Sequence, residues 1–314
     1  MTAGVAFLFP GQGAQSPGFV RALRGHPAVN ATLGEACDAM GASLEEIDSE
    51  NALRSTVAVQ LSTLIAGVAA SRALTAEGIY PTAVAGLSIG TYGAAVACGA
   101  LVFRDALRLA QLRAEYMQQA YPRGYGMAAI TGLTEKQLMR CIRRADATYI
   151  ANVNAPRQIV VAGSDAGLET LMADAQKAGA RTVRRLDVAV PSHCVLQNDA
   201  ASQLAEAFDG VKLEPPRIPY VDDRGGRARR TADAIRVDLA TNLAHPVRWH
   251  DATCVLYELG AKIFVEMPPG RALSDLAREA FPDVHTFAVE GQAPAAIARA
   301  LRRTLGHEGP GGGQ

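Results

Sequence analysis

The chain has 314 residues, 49% hydrophobic and 20% charged, which supplies a sizeable core and excludes global disorder. Lys plus Arg number 31 and Asp plus Glu 31, for a formal net charge of zero, and only 5% of residues are aromatic. A dedicated nucleic-acid binder, with its basic excess and stacking platform, is thereby excluded, and the length fits one large domain with an insertion or two modest domains.

Five cysteines, Cys37, Cys98, Cys141, Cys194 and Cys254, are widely spaced and form no CxxC pair. That spacing argues against a zinc site or a disulfide framework and for a reducing compartment. The apolar run Val5–Phe9 lacks a basic flank and has strand length, so no signal peptide is expected. No run approaches the roughly 18 apolar residues of a membrane span. A cytoplasmic location is expected, with neither nucleic acid nor membrane as a partner.

In chain order, strand-length apolar runs alternate with helical patterns, the mark of an α/β layer architecture. Residues 5–9 predict a first strand that ends in the loop PGQGAQ (10–15). Helices are predicted over 28–40 and 52–76, a second strand over 82–86, and a small-residue helix directly after LSIG. Residues 103–121 predict an amphipathic helix with Leu107, Leu109, Leu112 and Met117 near one face. After Pro122, short strands at 126–132, 148–153, 158–163 and 181–190 are separated by helices at 134–145 and 165–178. This β-α-β-β-α-β order is the split ferredoxin-like arrangement. It predicts an inserted subdomain, 125–190, within a larger α/β domain made of 1–124 and 191–306. The larger domain resumes with a helix after PSHC, a helix over 246–259, a strand over 262–267 and a last strand near VHTFAV. The Gly-rich tail 307–314 is expected to be disordered.

Gly86-Leu87-Ser88-Ile89-Gly90 fits G-x-S-x-G. The bare pattern is weak, but here an apolar strand precedes it and an Ala-rich helix follows, the setting a nucleophile elbow needs. The sharp turn forces backbones together, hence glycine on both sides, and lifts the Ser88 hydroxyl to a helix N-terminus that favours negative charge. A tetrahedral oxyanion would be held there partly by the Ile89 N–H. The plainer alternative is a Gly-rich turn with an incidental N-cap serine.

A serine hydroxyl needs a base. Among six histidines, His307 lies in the tail, His26 precedes a proline in an early loop, and His285 falls in a predicted strand. His193, in VPSHC where the insertion ends, occupies the kind of loop that supplies catalytic groups. Its alternative role is a helix-start histidine capped by Ser192, and His245 and His250 are reserve candidates. No acidic third member stands out, so a backbone carbonyl would orient the imidazole and the pair would be a Ser–His dyad.

PGQGAQ (10–15), GLSIG (86–90), LRAEYMQ (112–118), GMAAITGL (126–133), ANVNAPRQIVVAG (151–163), VPSHC (190–194) and NLAHPVRW (242–249) together resemble malonyl-CoA:acyl-carrier-protein transacylases, almost end to end. The resemblance implies an α/β-hydrolase-like core with a ferredoxin-like insertion. It also implies a ping-pong cycle that carries malonyl from CoA to serine and then to a carrier thiol. It makes Ser88 the nucleophile, His193 the base and Arg113 the partner of the free malonyl carboxylate. A planar guanidinium suits that bidentate task, although an arginine on a helix is ordinarily solvated. Gln12 matches the loop whose backbone completes the oxyanion hole, Asn154 the substrate-side asparagine, and Asn242 the position whose main-chain carbonyl orients the histidine. No bound cofactor and no metal are implied; malonyl-CoA enters as substrate, and an acyl carrier protein is the partner.

Family members usually read GHSxGE at the elbow, where this chain has Leu87 before the serine and Thr91 after the second glycine. His245-Pro246-Val247 and Pro268-Pro269-Gly270 replace the usual Asn-Pro-Val and Gly-Pro-Gly. With AYPRGYGMAAI (120–130), these variants resemble most the transacylase (epsilon) subunit of biotin-independent malonate decarboxylase. Its acceptor would be a phosphoribosyl-dephospho-CoA arm on a small carrier subunit. The alternatives are a fatty-acid or polyketide transacylase acting on a phosphopantetheine arm, a serine esterase, and a non-catalytic scaffold that docks a carrier protein. The basic run Arg224–Arg230 reads as a solvated loop, with carrier or CoA phosphate contact as its alternative.

Overall fold

Strands β1 (Gly4–Phe9), β2 (Ala83–Gly86), β7 (Tyr220–Val221), β8 (Ala228–Arg229), β9 (Ala261–Glu266) and β10 (His285–Ala288) form one sheet in the order β10-β9-β1-β2-β7-β8. The computed structural model describes residues 3–121, 123–188 and 190–306. Every pairing in this sheet is parallel except β7 with β8. Central β1 is buried along its whole length, as a parallel strand covered on both faces must be. One face packs against the helices Pro27–Met40, Thr56–Ala76 and Phe103–Ala120, the other against a cluster that includes Trp249, Phe264 and Leu273. Because Phe9 is in register with Gly86, the PGQGAQ loop and the Ser88 turn leave the same end of the sheet.

The second sheet holds β3 (Tyr125–Thr131), β4 (Thr148–Ala155), β5 (Gln158–Ser164) and β6 (Thr182–Arg185) in the order β4-β5-β3-β6, all antiparallel. The helices Glu135–Ile142 and Asp165–Lys177 fall between these strands in the chain and cover one face through Leu138, Leu168 and Leu171. Met127, Ala151, Val160 and Ala162 on the other face meet Cys194. The chain is therefore a mixed α/β protein with a parallel sheet and a small antiparallel sheet.

Several predicted boundaries shift for visible reasons. The predicted helix over 52–76 is broken: a 3-10 turn at Ala52–Arg54 precedes the helix Thr56–Ala76, with Ser55 extended between them. The predicted strand over 181–190 pairs with β3 only over Thr182–Arg185. The helix expected over 246–259 spans Trp249–Glu258, because Val247 is drawn into β4, accepting from Val153 N–H and donating to Ala151 O, both at 2.8 Å. Residues 224–230 are not simply a solvated loop. Ala228–Arg229 form β8, and Arg229 pairs with the buried Asp222, which also accepts the Gly225 and Arg227 N–H groups. The helices Ala232–Thr241, Ala272–Ala280 and Pro294–Thr304 were not anticipated, although the N-cap Thr231 and the helix-starting Pro294 mark two of them.

Contrary to expectation, Thr56–Ala76 is long and apolar enough to cross a membrane, but 89% of its most apolar window is buried inside the protein. It is the central core helix. The tail 307–314, expected to be disordered, lies outside the described residues.

Candidate functional site

Sterics at the ends of β1 and β2 dictate the turn at residues 86–90. A Cβ on Gly86 would lie 2.1 Å from the Gly90 carbonyl carbon, and one on Gly90 would lie 2.1 Å from the Phe9 carbonyl oxygen, so neither position admits a side chain. Ser88 between them adopts φ 56°, and His193 adopts φ 62°. A left-handed non-glycine costs on the order of 1–3 kcal/mol and persists only where its surroundings over-determine it.

The two strained residues meet. Ser88 Oγ lies 2.8 Å from His193 Nε2, and His193 Nδ1 lies 2.9 Å from the Asn242 main-chain oxygen. A carbonyl only accepts, so Nδ1 carries the proton and Nε2 presents its lone pair to the serine hydroxyl. The His193 N–H donates to Leu243 O at 2.7 Å, which fixes the loop. Burial, with the Arg113 guanidinium adding to it, lowers the imidazole from 6.5 to about 3, against hydrogen bonds to the Asn242 and His245 backbone. His193 is thus held neutral, the form in which an imidazole can take up a proton.

Arg113, on the helix Phe103–Ala120, is 1% exposed. It donates through Nη2 to Ser88 Oγ at 3.1 Å and to Asn242 Oδ1 at 3.4 Å, and through Nη1 to Gln60 Oε1 at 2.8 Å. Its Nε is buried without a partner, and among the described residues no carboxylate lies within ion-pair distance. Burial lowers its pKa, opposed by Tyr92 and Asp223.

Ile89 is buried and caps the helix Gly90–Ala97. Gln12 follows Gly11, where an added Cβ would lie 3.6 Å from Ser88 Cβ. Neither the Ile89 nor the Gln12 N–H donates to an acceptor among the described residues. Asn242 enters by side chain as well as carbonyl: Nδ2 donates to Ser88 O at 3.3 Å and to Thr91 Oγ1 at 3.0 Å. Asn154, on β4, makes no hydrogen bond to Ser88, His193 or Arg113, and its Oδ1 is buried and unpartnered. The side chains of the reserve histidines make no hydrogen bond in this network: His250 Nε2 lies 3.8 Å from Cys254 Sγ, and the half-buried His245 enters by its main chain, its N–H donating to Asn242 O at 3.1 Å.

Sequence reasoning missed three partners. Gln60 is a single amide inside an apolar run, a signal open to reading. Thr91 was noted only as a departure, yet it donates to Ser88 O at 2.6 Å. Asp223, fully buried just beyond β7, accepts the Ser88 N–H on Oδ2 at 2.7 Å.

The acyl transferase domain family model matches residues 6–307. The malonyl CoA-acyl carrier protein transacylase of Escherichia coli K12 is 34% identical over 305 residues, covering 94% of this chain and 98% of its own. The acyl-carrier-protein S-malonyltransferase structure from Burkholderia pseudomallei 1710b superposes with a TM-score of 0.90 at 35% identity, over 95% of this chain and 99% of that one. A malonyl transacylase solved in complex with its type II polyketide acyl carrier protein gives a TM-score of 0.90 at 32% identity, over 95% and 100% of the two chains.

Proposed function

Because the chain belongs to the acyl transferase domain family and is an acyltransferase, we propose that it moves malonyl from malonyl-CoA to the thiol arm of an acyl carrier protein through an ester on Ser88. One observation carries this reading: Arg113 is buried 3.1 Å from the candidate nucleophile, with no carboxylate within ion-pair distance among the described residues. A buried uncompensated cation is costly unless an anion joins it. A short diacid esterified at Ser88 would bring its free carboxylate back onto that guanidinium, which an esterase acyl group would not.

Ser88 Oγ attacks the thioester carbonyl as its proton passes to His193 Nε2, and the Ile89 and Gln12 N–H groups receive the oxyanion. The tetrahedral adduct collapses, and CoA leaves as a thiol with the proton from His193. The carrier thiol then gives its proton to His193 and attacks the ester, and the collapse returns a proton to Ser88. The Asn242 carbonyl holds the tautomer throughout, which makes the pair a dyad. Asn154 lies on the insertion, and its free Oδ1 would meet substrate. The strand orders support an α/β-hydrolase-like core with a ferredoxin-like insertion.

The names of the relatives favour a fatty-acid or polyketide carrier as acceptor. The malonate decarboxylase reading rests on Leu87, Thr91, His245-Pro246-Val247, Pro268-Pro269-Gly270 and AYPRGYGMAAI. Competition between a phosphopantetheinyl carrier and a dephospho-CoA-derived carrier decides between them. The reaction itself is tested by intact mass: malonyl-CoA should leave one malonyl group on the wild type and none on Ser88→Ala. Arg113→Ala should lower malonyl transfer at least about tenfold more than acetyl transfer. Equal losses would remove the role of Arg113, and an unmodified wild type would remove the enzyme.

A further inference from the structure

The peptide units on both sides of Ser88 are pinned by side chains from separate parts of the chain. On the upstream unit, the Ser88 N–H donates to Asp223 Oδ2 at 2.7 Å, and Leu87 O accepts from the Gly90 N–H at 2.9 Å. On the downstream unit, Ser88 O accepts from Thr91 Oγ1 at 2.6 Å, Thr91 N–H at 3.1 Å and Asn242 Nδ2 at 3.3 Å. Thr91 and Asp223 are completely buried, and Thr91 Oγ1 in turn accepts from Asn242 Nδ2 at 3.0 Å.

A peptide unit is rigid and trans, so its carbonyl and its N–H point in opposite directions. Three donors on the Ser88 carbonyl therefore aim the Ile89 N–H the other way, where it donates to no acceptor among the described residues. Asp223 occupies the Ser88 N–H and Leu87 O the Gly90 N–H, which leaves Ile89 as the unoccupied donor of this turn among the described residues. The Asp223 bond needs only an acceptor oxygen, so it survives the shift of that buried carboxyl well above its usual range.

We infer that Thr91 and Asp223 are positioning residues for the oxyanion donor: they lock the two peptide planes about Ser88 so that the Ile89 N–H faces the developing alkoxide. The inference rests on Ser88 being the acylated nucleophile. It gives a task to Thr91, which replaces the usual glutamate, and to a carboxyl remote in sequence.

A donor aimed only at the tetrahedral state changes kcat and the affinity of a tetrahedral mimic, not ground-state binding. The test compares wild type, Thr91→Val and Thr91→Ser for kcat, KM for malonyl-CoA, and Ki for a small alkylboronic acid that forms a tetrahedral adduct on serine. Valine should lower kcat about tenfold or more and raise the boronate Ki by about the same factor, with KM changed by less than about threefold. Serine, which keeps the hydroxyl, should recover most of both. A rise in KM at constant kcat, or a boronate Ki that does not move, overturns the inference. Should Thr91→Val fail to fold, Asp223→Asn against Asp223→Ala gives the same comparison, since the amide oxygen keeps the acceptor and alanine removes it. A malonyl adduct on wild-type Ser88 together with full kcat in Thr91→Val would sink the clamp alone; no adduct on wild type would sink the underlying reaction.

Discussion

His193 shows how burial sets the chemistry of one residue. Its imidazole is lowered from 6.5 to about 3, so the neutral base persists far below the pH at which an exposed histidine would be half protonated. The expected profile of kcat/KM is flat from about pH 8 to about pH 5; a half-loss centred near 6.5 would contradict a buried neutral base. The same shift bears on stability with a definite sign. Between 6.5 and about 3 the unfolded chain binds a proton at this histidine that the native chain does not, so its contribution to stability is lost as pH falls through that window. Ser88 and His193 were legible residue by residue, because a serine flanked by glycines between a strand and a helix and a histidine at a loop junction are local patterns. Asp223 was not, because its role depends on one carboxyl oxygen reaching a main-chain N–H 135 positions away.

At the level of elements, the elbow is enforced by two glycines whose missing Cβ atoms make room for backbone. Gly90→Ala would press a methyl group against the Phe9 carbonyl and should cost at least about 2 kcal/mol, because backbone cannot step aside as a side-chain tip can. Gly34→Ala is the counterpart: it lies within the helix Pro27–Met40, where an added Cβ meets nothing within 4 Å, and should gain up to about 1 kcal/mol. Denaturant midpoints of the two variants should move in opposite directions; equal shifts would mean that the close approach of the helix start at Gly90 to the end of β1 is not the reason for that glycine. The strand–turn–helix pattern at 82–97 was readable because apolar run, glycines and small-residue helix are contiguous. The two-residue strands β7 and β8 were not, since neither is long enough to show a period, and pairing with a neighbour is what makes them strands.

Across the whole molecule, the small antiparallel sheet is tied to the larger unit near the site. Arg248 spans Glu135 at 3.0 and 2.9 Å and Asp251 at 3.0 Å, beside the backbone bonds that join Val247 to β4. Arg248 and Glu135 are 32% and 42% exposed, so the pair contributes no more than about 1 kcal/mol. Arg248→Ala should therefore leave the thermal midpoint within about 4 °C of wild type. It should nonetheless speed amide exchange at Val153 and Val247, the local junction it braces. Unchanged exchange at those amides would show that the backbone pairing holds the junction alone.

By itself the sequence determined the α/β class, the β-α-β-β-α-β run that forms the small antiparallel sheet, and the two residues, Ser88 and His193, whose side chains lie 2.8 Å apart, because each is written in contiguous periodicity or in a short motif. Only the tertiary structure decided that Arg113 points inward instead of into solvent, that Gln60 and Asn242 hold its fork, and that Thr91 and Asp223 grip the peptide units around Ser88. A charge on an amphipathic helix is neutral evidence until the packing of helices and loops reveals which face is closed, and hydrogen bonds between distant positions exist only once the fold has brought their atoms within 3 Å or so of each other.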